Sequence, residues 1–193
     1  GNLAALYQRM GRYGDALPLY ERSLAIRKVV YEKEHPEIAT GLGGNLAGLH
    51  VRMGRCDDAL PLYERSLAIL EAAYGSEHPP EVAPTMSNMV YLYECMGRHD
   101  DALALYERSL TISEEALGEE HPTVATALAN LAGLYSSMNR NDDAMPLYER
   151  SLAISRKVHG EGHPAVATGL ANLAGLYSTM GGRYADALPL YER

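Results

Sequence analysis

The chain has 193 residues, of which 47% are hydrophobic and 22% are charged, and its formal charge is −8. This composition is ordinary for a folded soluble protein, and the acidic balance disfavours nucleic acid because a phosphate backbone is itself negative. The sequence has no apolar run of membrane-spanning length and no signal-peptide pattern, and Cys56 and Cys95 lack metal-like spacing, so we expect a cytoplasmic protein without a nucleic-acid or membrane partner.

Three short markers recur along the chain at a fixed period. The segment that begins Leu17-Pro18-Leu19 returns at Leu60, Leu103, Met145 and Leu188, at spacings of 42 or 43 residues. Two further markers keep step with it: a His-Pro pair at His35, His78, His121 and His163, and an Asn before Leu or Met at Asn2, Asn45, Asn88, Asn130 and Asn172. A fixed period of this kind predicts a repeat architecture. The units are residues 1–34 (partial), 35–77, 78–120, 121–162 and 163–193 (partial).

The basic unit has 42 residues, and each unit of 43 residues contains one inserted residue. Compared with the segment from His121 to Asn130, the segment from His35 to Asn45 contains one extra glycine. The segment that follows His78 contains an extra proline, and the last unit contains the pair Gly181-Gly182. We expect these insertions to lie in or near loops.

Each unit is predicted to contain two helices. The first helix follows the His-Pro pair, because proline is favoured at the first helical position, and in the last unit it is expected over residues 166–180. It is predicted to end near a Met-Gly pair such as Met53-Gly54, since glycine can adopt the left-handed conformation that closes a helix. The second helix is expected to open around an Asp-Ala-Leu segment and, in the second unit, to reach about Tyr74.

Two of the first helices have irregular sequences. In the second unit, Gly41, Gly43, Gly44 and Gly48 predict the softest helix of the array, because each interior glycine costs roughly 0.8–1 kcal/mol relative to alanine. In the third unit, Pro84 predicts a helix that either begins near this proline or bends there.

Neither helix of a unit can bury its apolar stripe alone, so successive units must stack against one another. The sequence therefore predicts an all-α solenoid of about five repeats, the first and last incomplete. We expect these repeats to form a single domain over residues 1–193.

The pattern Asn-Leu-Ala-x-Leu-Tyr-x-x-Met-Gly-Arg-Tyr-x-Asp-Ala-Leu-x-Leu-Tyr-Glu-Arg-Ser-Leu-Ala-Ile, which runs from Asn2 to Ile26, resembles a tetratricopeptide repeat (TPR). The ordinary unit has about 34 residues, and the longer unit found here resembles the repeats of the kinesin light chain family. This resemblance implies a right-handed α–α superhelix whose first helices line a concave groove that holds extended peptides. It implies a protein-binding scaffold and neither an enzyme nor a cofactor.

Carried over position by position, the resemblance also implies which residues line the groove: Asn45, Asn88, Asn130, Asn172, Arg52, Tyr91, Ser136, Ser137, Thr126 and Thr168. An asparagine side chain offers both a donor and an acceptor, so a ladder of them can pair with a peptide main chain of any sequence. The alternative is structural, with each asparagine bonded to a neighbouring helix. Arg52, and Arg9 at the equivalent position of the partial first unit, are the few cations on this face, so a strongly acidic peptide is not the expected ligand.

Other motifs do not predict chemistry. His159 and His163 have the spacing of a helical zinc pair, but two glycines interrupt them, and the glycines from Gly41 to Gly44 lack the final glycine of a nucleotide-binding loop. We therefore expect no catalytic, metal or cofactor site. Two alternatives to the scaffold stay open, a sensor or autoinhibitory array of a larger signalling ATPase and a purely structural spacer. Without polar capping helices, the end faces predict head-to-tail self-association.

Overall fold

A computed structural model describes residues 2–75 and 79–180. Within these ranges the chain contains helices and no strand, in the order α1 (Asn2–Arg9), α2 (Tyr13–Val30), α3 (Pro36–Ala39), a π-helical segment (Thr40–Ala47), α4 (Gly48–Arg52), α5 (Cys56–Tyr74), α6 (Pro79–Cys95), α7 (His99–Leu117), α8 (Pro122–Ser137), α9 (Asn141–His159) and α10 (Pro164–Thr179). The first helices of the successive repeats are α1, the run from α3 through α4, α6, α8 and α10. The second helices are α2, α5, α7 and α9.

The chain divides into two compact units, Gly1–Ala102 and Leu103–Arg193, with the boundary inside α7. In the first compact unit, α2 packs against α1 and against the first helix of the second repeat. In the same compact unit, α5 packs against that first helix of the second repeat and against α6. In the second unit, α9 packs against both α8 and α10. Each of these second helices therefore covers its own first helix and the next one, which is how a solenoid buries stripes that a single repeat leaves exposed. A single domain over residues 1–193 stays a prediction.

The His-Pro pairs start the first helices, as the sequence predicts. Nδ1 of His35 accepts a hydrogen bond from the backbone N–H of Glu37 at 3.1 Å, and His121 and His163 make the same bond to residues 123 and 165. Each histidine thus satisfies one of the unpaired N–H groups at a helix start. His78 lies outside the described residues.

The first helices also end as predicted. Gly11, Gly54 and Gly97 have φ angles of 72°, 72° and 69°, and Asn139 takes the same left-handed conformation in the fourth repeat with φ 58°. The second helices begin slightly before the expected Asp-Ala-Leu segment; α5 starts at Cys56, which places Asp57 and Asp58 in its first turn. The acidic side chains therefore still lie at the positive end of the helix dipole.

The extra glycine of the second repeat lies inside a helix, so the prediction of a loop insertion is wrong for this residue. The π-helical segment Thr40–Ala47 continues directly from α3 and into α4. A π turn closes its hydrogen bond one residue later than an α turn, so it absorbs one extra residue without breaking the helix. In the fourth repeat, which lacks the insertion, α8 is an uninterrupted α-helix. That this helix is the softest of the array stays a prediction.

In the third repeat, α6 begins at Pro79 and contains Pro84 in its interior. The prediction that this helix begins near Pro84 is therefore wrong, and a bend at that residue stays a prediction. In the described part of the chain, no helix has both the length and the apolar character that crossing a bilayer requires.

Candidate peptide-binding face

All ten predicted groove residues lie on first helices. Four belong to the first compact unit, with Asn45 in the π-helical segment, Arg52 in α4, and Asn88 and Tyr91 in α6. Six belong to the second unit: Thr126, Asn130, Ser136 and Ser137 on α8, and Thr168 and Asn172 on α10.

The four asparagines differ in exposure and in hydrogen bonding. Asn88 and Asn130 are exposed, whereas Asn45 and Asn172 are half-buried. Nδ2 of Asn45 donates a long hydrogen bond of 3.4 Å to the carbonyl oxygen of Thr40 in its own helix. Over residues 2–75 and 79–180, no hydrogen bond joins any of these asparagines to a neighbouring helix. The donor and the acceptor of Asn88 and Asn130 are thus available to water or to a ligand.

Three hydroxyl groups of the predicted set are engaged within their own helices. Oγ1 of Thr126 donates to the carbonyl oxygen of Pro122 at 3.2 Å, and Thr168 makes the same bond to Pro164 at 3.1 Å. Oγ of Ser137 donates to the carbonyl oxygen of Leu134 at 2.7 Å. These hydroxyl protons are occupied, so the three side chains can offer a ligand an acceptor oxygen but no donor.

Helical spacing decides which of these residues share a face. Thr126 and Asn130 are one turn apart on α8, and Ser137 lies two turns beyond Asn130 on the same stripe. Ser136 is the preceding residue and points roughly 100° away around the helix axis. The structure therefore brings three of the four α8 residues into one polar stripe and sets Ser136 apart from it.

In the first compact unit, several side chains surround Tyr91 and form a patch. The sequence identified only part of this patch. Tyr91 is 57% exposed. A hydrogen bond with the thiol of Cys95 and the proximity of that group raise the pKa of Tyr91, whereas the nearby Arg52 lowers it in part. Arg52 thus lies within electrostatic range of Tyr91. The contribution of Cys95 was missed, although its position one helical turn after Tyr91 could have indicated it.

The second-helix tyrosines Tyr20, Tyr63 and Tyr148 are buried in the core, whereas the equivalent Tyr106 is half-buried. The hydroxyl groups of the buried tyrosines nevertheless reach the first helices. Oη of Tyr20 donates to Oε1 of Gln8 at 2.8 Å, and a methyl group added to Gly133 would lie 3.4 Å from Oη of Tyr148. Sequence periodicity alone gives no signal for this reach, because it assigns the whole side chain to the core. The equivalent Tyr191 lies outside the described residues.

The site offers amides, hydroxyls and one guanidinium group, which suit hydrogen bonding to a polar ligand. Among the residues that the structure describes, no group of three or more His, Cys, Asp or Glu side chains could hold a metal ion.

Comparison with known protein families identifies the family to which these repeats belong. A tetratricopeptide repeat model matches residues 37–89, 81–157 and 140–193, and a second tetratricopeptide repeat model matches residues 1–37. The chain belongs to the tetratricopeptide repeat family. This membership confirms the predicted fold class, an all-α TPR solenoid of the right-handed superhelix type. No curated protein matches the sequence.

Solved structures of kinesin light chain-like proteins are similar to this TPR chain. A kinesin light chain candidate of Podosopora anserina with nearly identical TPR-like repeats has a TM-score of 0.84 and 28% identity, over 99% of this chain and 89% of that one. BtubC (BKLC) from P. vanneervenii has a TM-score of 0.81 and 29% identity, over 99% and 75% of the two chains. The predicted resemblance to kinesin light chain repeats is confirmed.

The apo form of RapI is also similar, with a TM-score of 0.80 over 98% of this chain and 50% of that one, but its 18% identity shows the fold alone. TPR proteins and their kinesin light chain-like relatives are families of scaffolds rather than of enzymes. The fold therefore supports a protein-interaction module.

Proposed function

We propose that this chain is a cytoplasmic scaffold that binds extended peptides of partner proteins along the polar stripe of its first helices, and that it catalyses no reaction. The observation that supports this most is the state of Asn88 and Asn130, which are exposed and have no hydrogen bond with the rest of the described chain. An extended peptide presents main-chain N–H and C=O groups at regular intervals, and an amide side chain can pair with both.

The charge of the site narrows the class of peptide. Arg52 is the one cationic side chain among the ten predicted residues, and the chain as a whole carries a formal charge of −8. Like charges repel, so a strongly acidic peptide would be disfavoured. The ligand we propose is neutral or mildly basic and is held largely through its main chain.

The test starts from peptides selected by display on the whole chain, with dissociation constants measured by fluorescence anisotropy. Asn88→Ala or Asn130→Ala should weaken binding about fivefold, the equivalent of one hydrogen bond of about 1 kcal/mol. The unfolding midpoint should stay unchanged, because neither side chain bonds to another described residue. Glu21→Ala and Glu149→Ala, at exposed positions on second helices, serve as matched controls and should leave both quantities unchanged.

Other outcomes separate the alternatives. A large loss of stability with unchanged affinity would assign the asparagines a structural role and contradict the proposed site. Failure to select any peptide would favour a structural spacer. A sensor or autoinhibitory array would instead prefer segments of its own parent protein over unrelated peptides.

We also propose that the apolar face of the first repeat supports head-to-tail self-association. Leu6 is 52% exposed, whereas Leu49, at the equivalent position of the second repeat, is 0% exposed. Leu3, Met10 and Ile26 are likewise exposed. Contiguous apolar surface of this kind is typical of an association site.

A further inference from the structure

The second-helix tyrosines Tyr20, Tyr63 and Tyr148 occupy equivalent positions but differ in what their hydroxyl groups contact. All three side chains are buried, and Tyr63 and Tyr148 are only 3% and 8% exposed. In the first repeat, Oη of Tyr20 donates a hydrogen bond to Oε1 of Gln8 at 2.8 Å. Because Gln8 lies on α1, this bond demonstrates that the hydroxyl crosses from the second helix to the side-chain layer of the first helix.

In the second repeat, the tyrosine hydroxyl group has no equivalent of the Gln8 side chain to accept its hydrogen bond. Its residue equivalent to Gln8 is Val51, which has no acceptor atom. In the fourth repeat the equivalent residue is Ser136, whose side chain is shorter. Within the described residues, neither Tyr63 nor Tyr148 has a hydrogen-bond partner for its hydroxyl, and neither oxygen is sealed from solvent.

Glycines on the first helices open the way to both hydroxyl groups. A methyl group added to Gly48 would lie 3.7 Å from Oη of Tyr63, and one added to Gly133 would lie 3.4 Å from Oη of Tyr148. A side chain at either position would therefore contact the hydroxyl oxygen. The third repeat has Tyr91 at the equivalent position, so this opening is specific to certain repeats.

The hydroxyl groups of Tyr63 and Tyr148 are protonated, so each can donate a hydrogen bond. Burial raises the pKa of Tyr63 and of Tyr148, and the nearby Arg52 offsets part of this effect on Tyr63. Both hydroxyl groups therefore keep their protons at neutral pH. Oη of Tyr63 and Oη of Tyr148 have no hydrogen-bond partner in the described chain, so an incoming acceptor can replace water at either hydroxyl group.

We propose that Oη of Tyr63 and Oη of Tyr148 each donate a hydrogen bond to a main-chain carbonyl oxygen of the bound peptide, through the openings beside Gly48 and Gly133. This inference rests on the proposed peptide-binding function and adds two donors that lie beneath the first helices. The acceptor is a carbonyl oxygen because the proposed ligand is an extended peptide, which offers one at every residue.

The test uses Tyr63→Phe and Tyr148→Phe, which remove one oxygen atom each and leave the ring in place. Without ligand, both variants should unfold at the wild-type denaturant midpoint, since no internal hydrogen bond is lost. Tyr20→Phe is the matched control and should unfold earlier, because it loses the bond to Gln8. With the display-selected peptides, each of the two variants should bind about fivefold more weakly, whereas Tyr20→Phe should bind like the wild type.

A second pair of variants tests the openings. Gly133→Ala places a methyl group in ordinary contact with Oη of Tyr148 and should weaken peptide binding without unfolding the chain. Gly14→Ala, at an exposed position on α2, meets no described atom within 4 Å and should leave the affinity unchanged.

The results distinguish this inference from the function on which it rests. Peptide binding that survives both tyrosine substitutions unchanged would overturn the donor role and leave the proposed function intact. Ligand-free destabilisation of Tyr63→Phe and Tyr148→Phe as large as that of Tyr20→Phe would also overturn it, because the hydroxyls would then be bonded internally. Failure to select any peptide would overturn the proposed function and this inference together.

Discussion

An arginine at the start of each second helix joins two side chains in three of the repeats. In the first repeat, the guanidinium carbon of Arg12 lies 4.6 Å from the ring centroid of Tyr7, and Nε lies 2.7 Å from Oδ2 of Asp15. The same pair of contacts recurs at Arg98 and at Arg140. Because the aromatic ring belongs to the first helix, the arginine ties the two helices of one repeat together.

The second repeat lacks this arrangement because His50 occupies the aromatic position. Nδ1 of His50 lies 3.7 Å from Oδ2 of Asp58, which is too long for a hydrogen bond, and this buried nitrogen has no hydrogen-bond partner. One residue has thus replaced a cation–π contact with an unsatisfied polar atom.

Restoring the aromatic residue should stabilise the chain. We expect His50→Tyr to raise the free energy of unfolding by about 0.5–1 kcal/mol, the range of a cation–π contact at an exposed site. The reverse change in the fourth repeat, Tyr135→His, should lower it by at least as much, because Oη of Tyr135 also donates to Oε1 of Glu107 at 3.1 Å. Urea denaturation of both variants checks the prediction, and a destabilised His50→Tyr variant would contradict it.

Among the helices, the π-helical segment of the second repeat has a specific packing requirement. Oγ of the buried Ser66 on α5 donates to the carbonyl oxygen of Ala39 at 2.9 Å. A methyl group on Gly43 would lie 2.5 Å from that same Oγ and 2.9 Å from Cβ of Ser66. Glycine is therefore required at residue 43 by close packing. At residue 44 the nearest atom to such a methyl group is Cγ2 of Thr40, at 3.8 Å.

These two adjacent glycines should respond in opposite ways to alanine. Gly43→Ala should lower the free energy of unfolding by roughly 1–3 kcal/mol, because a group is forced into a filled interior. Gly44→Ala should raise it by up to about 1 kcal/mol, because alanine favours helix and residue 44 is exposed. Thermal or urea unfolding of the two variants measures the difference, and equal effects would show that packing at Ser66 does not restrict residue 43.

At the scale of the whole molecule, one leucine position differs in burial between the first repeat and the others. The leucine equivalent to Leu6 is buried as Leu49, Leu92, Leu134 and Leu176 in the other four repeats. The same sequence position is thus core in those repeats and surface in the first. A second copy of the chain could cover that surface in the way that a repeat covers the next.

Self-association through this face should depend on its apolar side chains. The mass measured by light scattering should rise with concentration for the wild type, and Leu6→Lys should abolish the rise because it places a charge in the contact. Val158→Lys, at an exposed apolar residue on α9, is the matched control and should associate like the wild type. A wild-type chain that stays strictly monomeric at high concentration would contradict the proposed self-association.

The sequence by itself determined the repeat period, the helix pairs and their ends. The reason is that these depend on nearby residues: a histidine caps the helix that follows it, and a glycine such as Gly54 closes the helix before it. The candidate asparagines could likewise be placed on first helices from their period alone. The resemblance to TPR proteins added the expectation of a peptide site, which the sequence alone does not test.

Only the tertiary structure decided where one extra glycine lies and what the buried tyrosines can contact. The insertion beside Gly43 could have lengthened a loop, but it lies in a π-helical segment of a continuous helix, against which Ser66 of α5 packs at residue 43. Likewise, Tyr20 and Tyr63 follow the same pattern, yet Gln8 satisfies one hydroxyl while the other has no described partner. Both outcomes depend on side chains of another helix, and contacts between helices are not encoded in the local spacing of residues.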